Sequence, residues 1–201
     1  MDIKEIRLAL ASGSPRRIDM LAADGVNFEI VKPSCSEEII TKLSPARTAM
    51  ALALRKNLSA CEVLKLGNEK GSGLEDFDLL LSADTVVALQ EELIGKPRDE
   101  EDAACILREL SGRVHIVYTG VCIYEPKSGR REVFCDSSEV HFKNYDDDVI
   151  SEYIASGEPM DKAGAYAIQG GFGKYIEKVE GNVDTVIGFP YGRIKEIIKN
   201  W

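Results

Sequence analysis

The chain has 201 residues, 44% hydrophobic and 29% charged, with a formal net charge of −9. That length fills one core, in one domain or two lobes, and the acidic balance excludes a general affinity for nucleic acid polymers or acidic membrane surfaces, which need a broad basic face. A small anionic ligand held by a local group of cations is still allowed.

No apolar run reaches the ~20 residues of a membrane span, and Met1–Glu5 lacks the basic and apolar regions of a leader peptide. The five cysteines, Cys35, Cys61, Cys105, Cys122 and Cys135, are scattered with no C-x-x-C pair. The expectation is a cytoplasmic protein with reduced, mostly buried thiols, Cys105 and Cys122 among the packed ones.

In chain order, residues 6–10 read as a strand running into Ala11-Ser12-Gly13-Ser14-Pro15-Arg16-Arg17. Ser14 suits a helix N-cap and Pro15 the first helical position, and Ile18, Leu21 and Ala22 recur at helical spacing up to Asp24-Gly25. Residues 28–31 form a second strand, and Ser44-Pro45 opens a second helix with Ala46, Ala49, Met50, Ala53 and Leu54 as its stripe. Residues 67–73 are glycine-rich and polar, hence an exposed loop. Leu79-Leu80-Leu81 has the pattern of a central strand, expected to end at Asp84.

Residues 86–89 and 93–94 make a hairpin, and Asp99 caps a helix that closes at Ser111-Gly112. Residues 115–124 and 132–142 are long strands around the turn at 126–129. Asp146, Asp147 and Asp148 suit the first turn of a helix stopped by Ser156-Gly157. Residues 166–168 read as a strand, and a last helix covers residues 191–199. The sum is an α/β fold with a mixed sheet and flanking helices.

The turn at Ser12–Ser14, with a helix N-terminus behind it and the guanidinium forks of Arg16 and Arg17 beside it, is built for an anion, and phosphate fits best. A capped helix with two solvated arginines would give the same local pattern. Asp84, expected at the carboxyl end of a buried strand, can hold a hard divalent ion or accept a proton from water; alternatively it only caps its own backbone. Lys96 sits in Gly95-Lys96-Pro97, where the backbone can come close to a ligand. Lys56 lies off the apolar stripe of its helix, and Glu37-Glu38 precede that helix. Gln169, between an apolar residue and two glycines, presents an amide that can read a nucleobase edge. His115 and His141 read as structural. The P-loop and Rossmann fingerprints are missing, which speaks against those nucleotide sites, and His-rich metal spacing is missing too, so any metal would be a hard ion such as Mg²⁺ or Mn²⁺ held by carboxylates and substrate phosphates.

Ala11-Ser12-Gly13-Ser14-Pro15-Arg16-Arg17, Ser82-Ala83-Asp84-Thr85-Val86-Val87, Gly95-Lys96-Pro97, Leu110-Ser111-Gly112 with His115 and Tyr118-Thr119-Gly120-Val121, and Asp161-Lys162-Ala163-Gly164-Ala165-Tyr166 with Ile168-Gln169-Gly170 together closely resemble the Maf family of nucleoside triphosphate pyrophosphatases. The resemblance spans nearly the whole chain in order. It implies two lobes around a deep cleft, a fold related to inosine triphosphate pyrophosphatases, and hydrolysis of a nucleoside triphosphate to the monophosphate and pyrophosphate. The Asp-Thr pair, the Gly-Lys-Pro lysine and the Ile-Gln-Gly glutamine look like the branch acting on dTTP, UTP and modified pyrimidine nucleotides.

Carried over by position, Asp84 resembles the proton acceptor and a metal ligand, and Arg16, Thr85 and Gln169 the selectivity positions. Ser12, Arg17, Glu37, Lys56 and Lys96 resemble the phosphate and metal surroundings, with Glu37 as the second metal ligand. The resemblance also implies a divalent cation (Mg²⁺, Mn²⁺ or Co²⁺) and a homodimer. Two departures stand out: residues 65–78 are longer than the usual connection, and Asp184 replaces a more usual asparagine. A second reading, from the origin of the family's name, is a nucleotide-responsive regulator of septum formation and cell division.

Overall fold

The computed structural model describes residues 1–36, 43–67 and 71–201. Its centre is a mixed sheet built on β3 (Leu79–Leu89), which is buried along nearly its whole length. β1 (Leu8–Leu10) lies parallel to β3 and also to β2 (Phe28–Ile30). On the other edge of β3, β5 (Val114–Tyr124), β6 (Arg131–Phe142) and β7 (Ile176–Glu180) follow in antiparallel order. The short β4 (Glu92–Ile94) returns against the end of β3 through Gln90 and Glu91, both at positive φ (50° and 70°), as a tight two-residue hairpin requires.

This arrangement leaves a gap in the sheet. β1 is registered to residues 79–81 of β3 and β4 to residues 87–89, so residues 82–86 have no strand neighbour on that edge among the described residues. Side chains on successive residues of a strand point to opposite faces, so a gap at the edge lets both faces open into one space.

Helices cover both faces. α2 (Pro45–Lys65) crosses β3 and β5 at Gly120, the register partner of Asp84. A Cβ on Gly120 would collide with the Ala49 carbonyl, so the missing side chain is what lets the helix backbone touch the sheet. The contact is reinforced where Ser82 donates to the Ala53 carbonyl (2.8 Å) and buried Asn57 to the Leu80 carbonyl (3.1 Å). On the other face, α1 (Pro15–Ala23) and α6 (Tyr191–Lys199) enclose one core with Leu8, Leu10, Leu81, Phe189 and Ile194. α3 (Glu100–Leu110) and α4 (Asp147–Ala155) enclose a second, rich in aromatic rings, around Phe142, Tyr166 and Phe172. β3 and β5 run through both lobes, and the cleft lies between them.

Several expectations are confirmed at atomic detail. Asp99 accepts from Asp102 N (2.8 Å) as the predicted N-cap, and Asp146, expected in the first turn of its helix, is its N-cap and accepts from Val149 N (3.1 Å). Others are corrected. β3 does not end at Asp84 but continues for five residues, because Val86, Val87, Ala88 and Leu89 are all buried, the first three paired with β5 and Leu89 with β4. Residues 166–168 are not a strand: Gly164 (φ 74°) and Ala165 (φ 57°) fold the preceding residues into a 3₁₀ turn and prevent an extended run. Ser14 makes no side-chain cap; instead its N–H is bound by Ser12 Oγ (3.2 Å). Cys105 is exposed rather than packed, while Cys61 and Cys122 are buried as expected. β7 and the short α5 (Val183–Ile187), capped by Asn182, were not anticipated. Among the described residues no helix is long and apolar enough to cross a membrane.

Candidate active site

The gap beside β3 opens into a cleft of about 680 Å³. Its lining includes the polar residues Ser12, Ser14, Arg16, Lys32, Lys56, Asp84 and Lys96 with Gly13, and the side chains of Val87, Val117, Tyr166, Ala167, Ile168, Val186 and Ile187. Thus one cleft brings cations and the small-residue turn together with apolar side chains.

Asp84 and Thr85 mark the two faces of β3. Asp84 is on the α2 face, buried, and paired with the Lys56 ammonium, which α2 delivers two turns beyond its contact with Gly120. Both side chains are nearly buried, at 12% and 11% exposure, so their charges are poorly screened. Lys96 is exposed on the segment after β4, whose Gly95 carbonyl accepts from Gly164 N (3.1 Å) and so ties it to the opposite wall.

Arg17, expected to meet phosphate or solvent, is buried and tied to the protein itself. Its Nε donates to the Gly188 carbonyl (2.8 Å), Nη1 to the Ala83 carbonyl (2.8 Å) and Ser12 Oγ (3.2 Å), and Nη2 to Thr85 Oγ1 (3.3 Å). Ala83 O points into the sheet gap, so the guanidinium takes the place of a missing strand partner. At the same time it fixes the turn, through Ser12, to β3. Arg16 lines the cleft with its Nε buried and without a hydrogen-bond partner among the described residues, a donor that an entering anion would satisfy.

On the Thr85 face, His115 is buried against Tyr166, with Nε2 2.7 Å from the phenolic oxygen. Burial holds its pKa down to about 4, with a smaller effect of His141, so the ring is neutral at physiological pH and serves packing, as expected. Across the cleft, Lys162 donates to Asp161 Oδ1 (2.6 Å), and that bond holds the Asp161 carboxyl below its usual range.

The structure therefore brings together Ser12, Arg16, Arg17, Lys56, Asp84, Thr85 and Lys96. Gln169 is exposed and follows Ile168 at the rim without itself lining the cleft. Glu37 lies outside the described residues. Sequence reasoning gave no role to Lys32, Asp161 or Lys162, or to Gly188. The D-K-A-G-A-Y block was a signal for Asp161 and Lys162, but nothing local marks Lys32. Asp84 is a hard oxygen donor on the wall of a cationic cleft, which suits Mg²⁺ or Mn²⁺ shared with phosphate oxygens. The grouping with metal-ligand spacing among the described residues, Glu139, His141 and Glu180, is a different one: it lies on β6 and β7, contains no cleft residue, and has Lys178 already on Glu180.

Comparison with known proteins agrees with this geometry. The family model described as Maf-like protein matches residues 7–201. The dTTP/UTP pyrophosphatase of Desulfitobacterium hafniense (strain Y51) is 42% identical over 194 residues, covering 96% of this chain and 85% of that one. The proteins of the same name from Pelotomaculum thermopropionicum and Carboxydothermus hydrogenoformans are 39% and 38% identical, covering 99% and 98% of this chain and 97% and 99% of their own. With its blocks in order, its cleft at the sheet gap and these relatives along nearly its full length, the chain belongs to the Maf-like family.

Proposed function

We propose that this protein hydrolyses nucleoside triphosphates between the α and β phosphates, acting on dTTP and UTP and their modified forms, and so clears such nucleotides from the pool. The observation that carries this reading is the buried Asp84–Lys56 pair in a cleft lined by the small-residue turn, by cations and by apolar side chains. In this reading a polyphosphate meets the turn and the cations, and a nucleobase ring the apolar side chains. The names of the similar proteins support the choice of nucleotide, and none of the three carries a role in septum formation.

In this reading the Ser12–Ser14 turn, Arg16, Lys32 and Lys96 bind the phosphate chain and neutralise charge that moves onto the leaving pyrophosphate. Arg17 keeps the turn in register with β3. Lys56 holds the Asp84 carboxylate in place, and Asp84 accepts the proton of the attacking water. A divalent cation bound at Asp84, with Glu37 as the proposed second ligand, would supply further charge neutralisation and acidify water. Arg16, Thr85 and Gln169 are the proposed base-selective groups, Gln169 through an amide that can meet the adjacent donor and acceptor of uracil or thymine. A homodimer in the cytoplasm completes the reading, checked by sedimentation and by cell fractionation.

The deciding experiment is hydrolysis of UTP, dTTP, CTP, ATP and GTP in ¹⁸O-water with and without Mg²⁺, Mn²⁺ or Co²⁺. Pyrophosphate should be the product, the label should enter the monophosphate, and UTP and dTTP should be preferred. Orthophosphate as first product, a purine preference, or full activity in excess EDTA would overturn it.

A further inference from the structure

Thr119 sits on β5 directly opposite Thr85, is completely buried, and does not line the cleft. Its hydroxyl proton is committed: Thr119 Oγ1 donates to the Thr185 carbonyl at 2.8 Å, and a carbonyl can only accept. The 2.9 Å contact between the Thr119 and Thr85 hydroxyls therefore has one polarity, with Thr85 donating. Having spent its proton there, Thr85 offers lone pairs elsewhere, and Arg17 Nη2 lies 3.3 Å from it.

The bonds thus run in one direction, from Arg17 through Thr85 and Thr119 to Thr185 on α5. The far end is anchored, because Thr185 Oγ1 donates to Asp136 (2.8 Å), whose other oxygen accepts from Arg193 (3.1 Å). Gly188, at the end of α5 with φ 101°, returns its carbonyl to Arg17 Nε. A Cβ at Gly188 would fall 2.8 Å from Thr85 Oγ1, so the Thr85 hydroxyl is closely packed by the same segment.

We infer that Thr119 is a positioning residue for the cleft, which fixes the hydroxyl polarity of Thr85 and through it the Arg17 guanidinium. This rests on the reading of the cleft as a polyphosphate site. Without Thr119 as acceptor, the Thr85 proton turns to another partner; aimed at Arg17, it sets two donors against each other, and the arginine loses its hold on that side.

The test is calorimetric binding of inorganic tripolyphosphate to the full chain, a probe that requires no nucleotide to be turned over. Thr119→Val, close to isosteric, should weaken binding about tenfold, the loss expected when a hydrogen bond to a charged group goes. Thr119→Ser keeps the relay and should bind as the wild type. Thr85→Val should lose what Thr119→Val loses, and the double variant should be no weaker than Thr85→Val alone, since one relay can be broken only once. Unchanged binding in Thr119→Val, equal damage in Thr119→Ser, or losses that add would overturn the inference. Should Thr119→Val fail to fold, Thr85→Val decides, and unchanged affinity there overturns it equally. Wild-type protein that does not bind tripolyphosphate overturns the polyphosphate reading and this inference with it. Wild-type protein that binds but hydrolyses neither UTP nor dTTP overturns only the proposed reaction.

Discussion

On one face of β3, Asp84 meets the flexible ammonium of Lys56; on the other, one residue along, Thr85 is enclosed by Thr119, Arg17 and Gly188. The two neighbours live in opposite regimes. A lysine on a four-carbon stem is a point charge that can follow its carboxylate or yield to a competing cation. A hydroxyl whose proton and lone pair are both assigned to rigid backbone-tied partners cannot adapt at all. In the proposed reading the difference divides labour within the cleft: charge is met on the α2 face, and geometry is held on the other. The sheet gap at residues 82–86, where no strand neighbour is present among the described residues, would let both faces serve one ligand.

The largest effect should come from removing Asp84, the proposed general base on the α2 face. Asp84→Asn keeps the size of the side chain but cannot accept a proton, and loss of a general base costs about 10²–10⁴-fold in rate. Steady-state kcat with UTP, on protein whose circular dichroism matches the wild type, checks this. A variant retaining more than about a tenth of kcat would leave Asp84 a structural residue beneath a different catalytic group. Next comes Gly120→Ala, which touches no ligand. The added methyl collides with the Ala49 carbonyl, so α2 must lift off β5 and carry Lys56 away from Asp84. Urea denaturation should show a loss of about 2–3 kcal/mol, as for an overpacked interior. Activity should fall as well while tripolyphosphate binding is largely kept; a variant as stable as the wild type would show that the helix is not held at this contact.

How far the sequence reaches into this arrangement depends on the range of the interaction. Asp99 was readable as a cap, and Asp146 as a residue of a helix start, because a cap bonds three residues ahead in the same chain. The cationic turn was readable for a similar reason, since Ser12 through Arg17 form one continuous stretch. The Asp84–Lys56 pair was not, because it depends on Gly120 admitting the α2 backbone, a contact between segments about seventy residues apart in sequence. The bonds Arg17 makes to the backbone were not readable: an arginine at a helix start reads as phosphate-facing or solvated until the sheet gap exposes Ala83 O as a carbonyl in need of a donor. Asp84 within β3 was read as a strand end because a carboxylate seldom sits mid-strand, and only the open edge makes it tenable there. The strand expected at residues 166–168 failed at Ala165, whose positive φ no local pattern announces.

The smallest predicted effect tests the rigid face by pH. His115 lies on β5 on the same side as Thr119, and burial lowers its pKa from 6.5 to about 4. The unfolded chain therefore takes up a proton as pH falls below 6.5, while the folded chain refuses it until about pH 4. Stability from this residue is complete above pH 6.5 and drains away through that window, by about 1 kcal/mol at pH 5.5. His115→Gln preserves a polar contact to Tyr166 but does not titrate, so its urea midpoint should change less between pH 7 and pH 5 than that of the wild type. Parallel pH profiles for the two proteins would mean that His115 is protonated in the folded state. The pocket beside Tyr166 would then be wetter, and the contrast between a yielding face and a rigid one would not extend to this end of the cleft.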